Sequence, residues 1–384
     1  MKILVLNYEY PPLGGGAGVI TKNICERLAA LGHSVTVVTT WFKTENETEQ
    51  KNNLKIIRLK SARKLVYKSS IFEMLSWIKA SRKFLKNHCA QEKFDICFAN
   101  FSIPGGVVAA YLKKKLGLKF TIISHGHDIP WRFPKQMLFF HLATYFRIKK
   151  ICRQSEMNFV QTVEMKKNID RFLGEKYVSK NMLIPNGIDS RLFQPDPSRR
   201  NEPFKIVFTG RLVMQKDPFS FLEAVKQFSG KNRNFIVHII GDGPLRKDME
   251  NFCSQNEIAG VVKFTGWISA EEIAREYQSA HVQVVSSLFE GMSIAILESL
   301  ACGCFLITTP LDGIRDMVTE NENATIVGFH SPVEIFKTLD NYYQKRFLTG
   351  KQIPADTLNA LRSRYDWDVL VCAYEKSFRQ IIAS

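Results

Sequence analysis

Short apolar runs rich in β-branched residues alternate along this chain with longer amphipathic stretches, and the whole pattern occurs twice. In the first half, residues 3–6, 35–39, 96–99, 120–124 and 158–162 read as strands, with a helix over 19–31 closed by Gly32. The second half restarts with strands at 205–209, 235–240, 261–265, 282–286 and 305–308, separated by helices beginning near Phe219, Pro244, Ala270 and Ile294. A strand followed by a helix buries both apolar faces when the chain crosses over and returns to a parallel neighbour. The pattern therefore predicts an α/β chain of two doubly wound parallel-sheet domains facing a cleft, with chemistry in the loops after strands. Turn residues at Pro185-Asn186-Gly187-Ile188-Asp189 and Phe193-Gln194-Pro195-Asp196-Pro197 put the join near 190–203. The expected division is 1–190, 191–365, and a final helix within 366–384 that Asp366 would cap.

Composition narrows the classes. Among 384 residues, 45% are hydrophobic and 23% charged, ordinary for globular proteins, which excludes wholesale disorder. No repeat at a period of about 20–50 residues is visible, which argues against a solenoid. The eight cysteines form no C-x-x-C pair, and Cys302 and Cys304 lack the partners of a zinc site, so reduced thiols of a cytoplasmic protein are expected. The N-terminus enters a strand at once, without the apolar run of a signal peptide. The longest uncharged stretch, 96–112, is broken by Pro104-Gly105-Gly106 and reads as strand, turn and helix start rather than a membrane span. Net charge is +16 and unevenly spread: residues 1–190 hold 31 basic against 14 acidic side chains, a net of +17, and the remainder 22 against 23. The first half thus expects an anionic partner.

Four loops carry candidate chemistry. Pro11-Pro12-Leu13-Gly14-Gly15-Gly16-Ala17-Gly18 joins the first strand to the first helix and offers close backbone approach and helix N-terminal amides to a phosphate. A dinucleotide fingerprint fails here, since Val19 stands at the third glycine position and Thr39-Thr40 replace the acidic residue after strand two. Arg211 and Lys216 follow a strand five residues apart, a fork and a point charge suited to one diphosphate, or else two solvated cations. Glu290 and Glu298 flank Gly291, Met292 and Ser293; read as continuous helix their spacing is about 12 Å, enough for separate sugar and ribose hydroxyls. Ser124-His125-Gly126-His127-Asp128 places two histidines and a carboxylate after a strand, for a reacting sugar or for structure. An H-x-H-D metal reading finds no further ligand cluster, so none is assigned.

Together these segments resemble the retaining glycosyltransferases of family 4, over nearly the whole length. The resemblance rests on PPLGGGAG, HGHD, PNGIDSRLF, GRLVMQK, GDGPLR, FTGWIS, the E-x7-E element FEGMSIAILE with SLACG, and the tail helix. It implies the GT-B fold of two Rossmann-like domains and transfer of a sugar from a UDP- or GDP-linked donor, with retention and without an essential metal or other cofactor. It also implies that Arg211 and Lys216 bind the diphosphate and stabilise the leaving group. Glu290 would hold sugar hydroxyls, Gly291, Met292 and Ser293 would meet sugar or phosphate, and Glu298 the ribose. Gly15 and Gly16 would touch the diphosphate, and Ile268 would lie near the base. His125 matches the family's active-site histidine, with His127 an adjacent competitor; His127 and Asp128 are the acceptor-side candidates. The resemblance supplies no side-chain nucleophile, and Asp217 stands where many members have Gly. The tail helix in this fold crosses back onto the first domain.

The first domain would take the acceptor, and it carries the positive excess. Residues 63–88 read as a helix with Lys64, Lys68, Lys79, Arg82, Lys83 and Lys86 beside Phe72, Leu75, Trp77, Ile78 and Phe84. Residues 137–153 repeat the theme, with Phe139, Phe140, Tyr145 and Phe146 before Arg147, Lys149 and Lys150. Such surfaces suit an anionic bilayer or a lipid-linked acceptor, although many of these apolar groups would be buried helix faces. The expectation is a cytoplasmic, peripheral enzyme building a surface polysaccharide or glycolipid. The alternatives are a nucleotide-sugar epimerase of the same fold or a nucleic-acid binder. The latter is disfavoured because no basic binding module forms and Glu290 and Glu298 would repel phosphodiesters.

Overall fold

The structure is a computed structural model that describes residues 1–43, 45–65, 69–126, 128–130, 134–200 and 203–384, with the side chains of 134–137 left undescribed. The chain forms two compact units, Met1–Asn186 with Trp367–Ser384, and Gly187–Asp366. The first boundary falls before Gly187 rather than after residue 190. The reason is packing: Ile188 is buried in the second unit's core, and its N–H donates to the Tyr365 carbonyl at 2.8 Å.

The first unit holds β1 (Lys2–Leu6), β2 (Ser34–Thr40), β3 (Thr48–Lys51), β4 (Leu54–Leu59), β5 (Ile96–Asn100), β6 (Phe120–Ile123), β7 (Met157–Val160) and β8 (Asn181–Leu183). Their order is β3-β4-β2-β1-β5-β6-β7-β8, parallel throughout except for the antiparallel β3–β4 pair. Central strands are covered on both faces, which is why Ile3, Leu4, Val5 and Leu6 can all be apolar and all be buried. The second unit holds β9 (Phe204–Thr209), β10 (Phe235–Ile240), β11 (Val262–Gly266), β12 (Val282–Val285), β13 (Phe305–Thr308) and β14 (Ala324–Ile326). Its order is β11-β10-β9-β12-β13-β14, all parallel. Each sheet therefore reverses its direction of growth once, between β1 and β5 and between β9 and β12. Ligands of open α/β sheets bind at the carboxyl ends of such strand pairs.

Helix starts depart from the sequence reading where capping decides them. The first helix is Gly16–Ala30, so it takes in glycines assigned to the loop. The basic helix is Ile71–Gln91, eight residues shorter at its start than expected. Ser70 accepts from the Glu73 N–H while the Glu73 carboxylate accepts from the Ser70 N–H, a capping box that fixes the first turn. Arg63 is thereby excluded from the helix: its side chain is buried 3.8 Å from the Glu9 carboxylate and against the Tyr8 ring. Lys68 lies outside the described residues.

The last helix, Trp367–Ala383, packs on Gly16–Ala30. Tyr374 and Phe378 enter the first unit's core, with ring centroids 4.8 Å (Tyr374–Phe159) and 5.5 Å (Phe378–Phe98) apart. Arg27 Nε donates to the Asp368 carboxylate at 2.8 Å. Asp366 accepts from the Ser190 hydroxyl, an interaction inside the second unit.

Candidate active site

In the second unit, the loops after β9 and β12 are stitched together by backbone-directed bonds. Leu288 N–H donates to the Gln215 carbonyl at 2.8 Å, and Gln215 Nε2 to the Phe289 carbonyl at 2.8 Å. The Ser286 hydroxyl lies 2.9 Å from the Lys216 carbonyl and 2.8 Å from that of Asp217. Beneath them the Gly241–Gly243 turn lies against the Gly210–Leu212 backbone. A Cβ on Gly241, whose φ is +127°, would stand 2.1 Å from the Gly210 oxygen, so only glycine permits this contact.

This scaffold brings Lys216 and Glu290 together as an ion pair, each side chain only 13% exposed. Arg211 leaves β9 half-buried beside them in sequence. Ser293 then begins the helix Ile294–Ala301 with no side-chain cap and no acidic residue in the first turn, which leaves its amides suited to an anion. Glu290 to Ser293 are not helical, so the eight-residue helical spacing between Glu290 and Glu298 is not realised. Met292 turns its side chain into the core, leaving its backbone on the loop. The Glu298 carboxyl makes no hydrogen bond or ion pair among the described residues, and burial pushes it up to about 8. Ile268 packs against the same core cluster, next to the exposed indole of Trp267.

In the first unit the glycine loop forms a second uncapped helix start. Gly15 precedes Gly16–Ala30 with no side-chain cap and no acid in the first turn, and both Gly15 and Gly16 are exposed. Behind them Asn7, Thr21 and Asn100 form a fully buried polar chain. Asn7 Nδ2 donates to Thr21 Oγ1 at 2.8 Å, and the Thr21 hydroxyl approaches Asn100 Oδ1 at 2.6 Å. Asn100 Oδ1 also lies 2.9 Å from His125 Nε2. Since Asn100 Nδ2 faces the Leu6 carbonyl, Oδ1 is the accepting end, and His125 carries its proton on Nε2. Burial lowers the imidazole to about 3, so the ring is neutral and its Nδ1 is a buried acceptor without a partner among the described residues.

Asp128 does not face an acceptor. Its two carboxylate oxygens accept from the Ser102 and His125 N–H groups at 3.1 and 3.0 Å, which clamps the loop carrying His125. Burial raises its carboxyl, opposed by those hydrogen bonds. His127 lies outside the described residues. Among the described residues no three His, Cys, Asp or Glu side chains converge as a metal site.

Comparison with known proteins decides the family. Residues 189–352 match the model for glycosyl transferases group 1, and 14–192 that for Glycosyltransferase Family 4. The chain belongs to the family 4 glycosyltransferases. An uncharacterized glycosyltransferase of Methanocaldococcus jannaschii is 24% identical, with 99% of each chain covered. The alpha-monoglucosyldiacylglycerol synthase of Acholeplasma laidlawii is 23% identical, over 91% of this chain and 90% of its own. Among solved structures, sucrose-phosphate synthase from Thermosynechococcus elongatus aligns with a TM-score of 0.85 at 17% identity, covering 100% of this chain and 99% of its own. That likeness shows the GT-B fold. The matches give an epimerase no support.

The family pattern explains one departure and leaves other residues unannounced. Asp217, at a position where many family 4 glycosyltransferases have Gly, has φ +43°, in the left-handed region. Its carboxylate compensates by accepting from Ser220 Oγ at 2.8 Å and pairing with His330 Nδ1 at 2.8 Å. Asn7, Thr21 and Asn100 drew no notice in the sequence because they meet only through β1, the first helix and β5. Trp267 had a signal, a bulky aromatic in a loop after a strand.

Proposed function

We propose that this enzyme is a retaining glycosyltransferase that moves a hexose or N-acetylhexosamine from a UDP- or GDP-linked donor to a lipid-linked or cell-surface glycan, without an essential metal. The observation that carries the reading is the Lys216–Glu290 pair held at the β9–β12 switch point beside an uncapped helix start. Without donor the two side chains neutralise each other. A bound donor would reassign them, Lys216 with Arg211 to the diphosphate and Glu290 to sugar hydroxyls. Cations fixed before the reaction stabilise the charge that grows on the departing phosphate. Glu298 would take the ribose and Trp267 with Ile268 the base. His125, its ring kept neutral, would stand on the acceptor side.

A glycosyldiacylglycerol synthase among the relatives, and a solved fold neighbour from Anabaena with UDP-glucose, support a nucleotide-sugar donor and a lipid-linked acceptor. No described helix is long and apolar enough to cross a membrane, and the basic first unit supports action at the cytoplasmic face of an anionic bilayer rather than on nucleic acid.

The test is release of nucleoside diphosphate from UDP-, GDP- and ADP-sugars with and without EDTA, and the product's anomeric configuration by proton NMR. One nucleotide class should turn over, unaffected by EDTA and with retention, and Arg211→Lys should be much slower because a point charge does not replace the fork. Dependence on added metal, or an inverted product, would contradict the proposal.

A further inference from the structure

Gln283 is a primary amide in the middle of β12, fully buried and paired in register with Val207 of β9 and Leu306 of β13. The other positions of β12 are all valine, as befits a strand covered on both faces. An amide in such a place costs free energy unless both of its ends are bonded. Here the Ser299 hydroxyl donates to Oε1, and Nε2 donates to the Tyr277 phenol oxygen at 3.4 Å. Ser299 and Tyr277 are fully buried as well. Burial pushes the Tyr277 phenol well above its ordinary value, the Glu298 charge pushes it further, and the Thr209 hydroxyl opposes them, which places both groups within reach of the phenol.

This buried junction joins three segments that carry donor-site candidates. Thr209 is the last residue of β9, two before Arg211. Tyr277 stands on Ala270–Ser279, the helix that starts after Trp267 and Ile268 with a capping box of Ser269 and Glu272. Ser299 follows Glu298 on Ile294–Ala301. That last helix has few directional ties. It is eight residues long, lacks a side-chain cap, and is apolar except at Glu298 and Ser299. Ile296, Leu297, Leu300 and Ala301 pack it into the core, but apolar contacts are non-directional. Among the described residues, Ser299 to Gln283 is the single side-chain hydrogen bond from this helix to the sheet. It sets the rotation of the helix, and with it the direction of the Glu298 carboxyl, about 100° around the axis.

We infer that Gln283, with Ser299 and Tyr277, is a positioning residue of the donor site that acts through Glu298, holding its carboxyl toward the ribose hydroxyls of the nucleotide. Apolar residues at the three positions would fill the same space and could pack the same helix, but would leave its rotation to side-chain packing alone. A fully satisfied buried polar network instead specifies one arrangement. The inference rests on the proposed donor site for its purpose, and on the buried junction for its evidence.

The experiment is calorimetric titration of the full chain with UDP, GDP and ADP and, for the nucleotide that binds, with its 2′,3′-dideoxy analogue. Wild type is compared with the combined variant Tyr277→Phe, Gln283→Met, Ser299→Ala and with Ser299→Ala alone. Replacing all three leaves no half-satisfied partner, so the combined variant should melt close to wild type. Ser299→Ala removes a single oxygen and reads the same effect if the combined variant does not fold. Wild type should bind the ribonucleotide about tenfold more tightly than the dideoxy form, the worth of one hydrogen bond to a charged group. Ser299→Ala should reduce that preference and the combined variant should abolish it, with the Kd for the dideoxy form unchanged in both. A ribose preference equal to wild type in the variants would overturn the inference. So would an equal loss of affinity for both nucleotides, because the junction would then support the site as a whole. Wild type that binds a nucleotide with no ribose preference would overturn the inference and leave the diphosphate site standing. Wild type that binds none of the three would overturn the donor-site reading, and the inference with it.

Discussion

At the carboxyl edge of the first sheet, Asn7, Thr21, Asn100 and His125 form a neutral chain, and Asp128 spends its charge on two backbone amides. At the corresponding edge of the second, Lys216 and Glu290 face each other and the half-buried Glu298 has no counter-charge among the described residues. Yet the first half of the sequence carries a net charge of +17 and the second is close to neutral. The comparison shows that net charge does not locate a site. Of that excess, Ile71–Gln91 and Pro134–Gln154 carry +3 and +5, away from the sheet edge, while the second unit concentrates a few ionisable groups where β9 and β12 part. One edge is organised by neutral hydrogen bonds that hold a shape, the other carries opposed charges.

The largest expected effect is at the charged edge. Glu290→Ala should cut turnover by about a hundredfold or more, the scale for removing one preorganised polar contact to a reacting group. Steady-state kinetics with an unchanged circular dichroism spectrum would show it, and a fully active variant would break the contrast between the edges.

Asn100→Asp sharpens the comparison by making the neutral edge charged. A carboxylate beside Nε2 should raise the His125 imidazole from about 3 toward its ordinary 6.5 and cost about 1–3 kcal/mol of stability. NMR titration of the ring reads the first and chemical denaturation the second. An imidazole that still fails to titrate above pH 5 would contradict the tautomer assignment.

Glu298 gives a smaller, pH-dependent effect. Its folded value of about 8 exceeds the ordinary 4.5, so the folded state holds the proton more tightly. The associated stability is fully present below 4.5 and is lost as pH rises through about 8. Melting temperature should therefore fall more steeply from pH 6 to 9 in wild type than in Glu298→Gln; parallel curves would refute the buried carboxyl. Asp217→Gly should matter least, within about 1 kcal/mol, because relief of the left-handed backbone offsets two lost side-chain contacts. A large loss on denaturation would show that the Asp217 contacts to Ser220 and His330 outweigh the backbone strain.

Much of this was legible in the sequence because buried parallel strands are continuous apolar runs. Strands at 235–240 and 305–308 coincide with β10 and β13. The hairpin of β3 and β4 was not, because Thr48–Lys51 is exposed along its whole length with no apolar face to read, and Lys55 and Arg58 interrupt the apolar run of Leu54–Leu59. Ser70 and Glu73 did spell a helix start, but the basic residues before them suggested a longer helix. Arg211, Lys216 and Glu290 were visible as charges in loops after strands, where open sheets bind ligands, and Glu298 by its spacing from Glu290. The inward turn of Asp128 and the Asn100–His125 bond were not, because their partners come from distant segments whose meeting only the folded sheet defines.

The central claim is that Lys216 and Glu290 form the heart of a nucleotide-diphosphate site. The most direct measurement is thermal unfolding of the wild-type chain and of Lys216→Ala with UDP, GDP and ADP, each with and without EDTA. One nucleotide should stabilise wild type, by about 2.7 kcal/mol at a hundredfold excess over its Kd, regardless of EDTA, and should leave Lys216→Ala unshifted. An equal shift in both proteins, or none with any nucleotide, would contradict it.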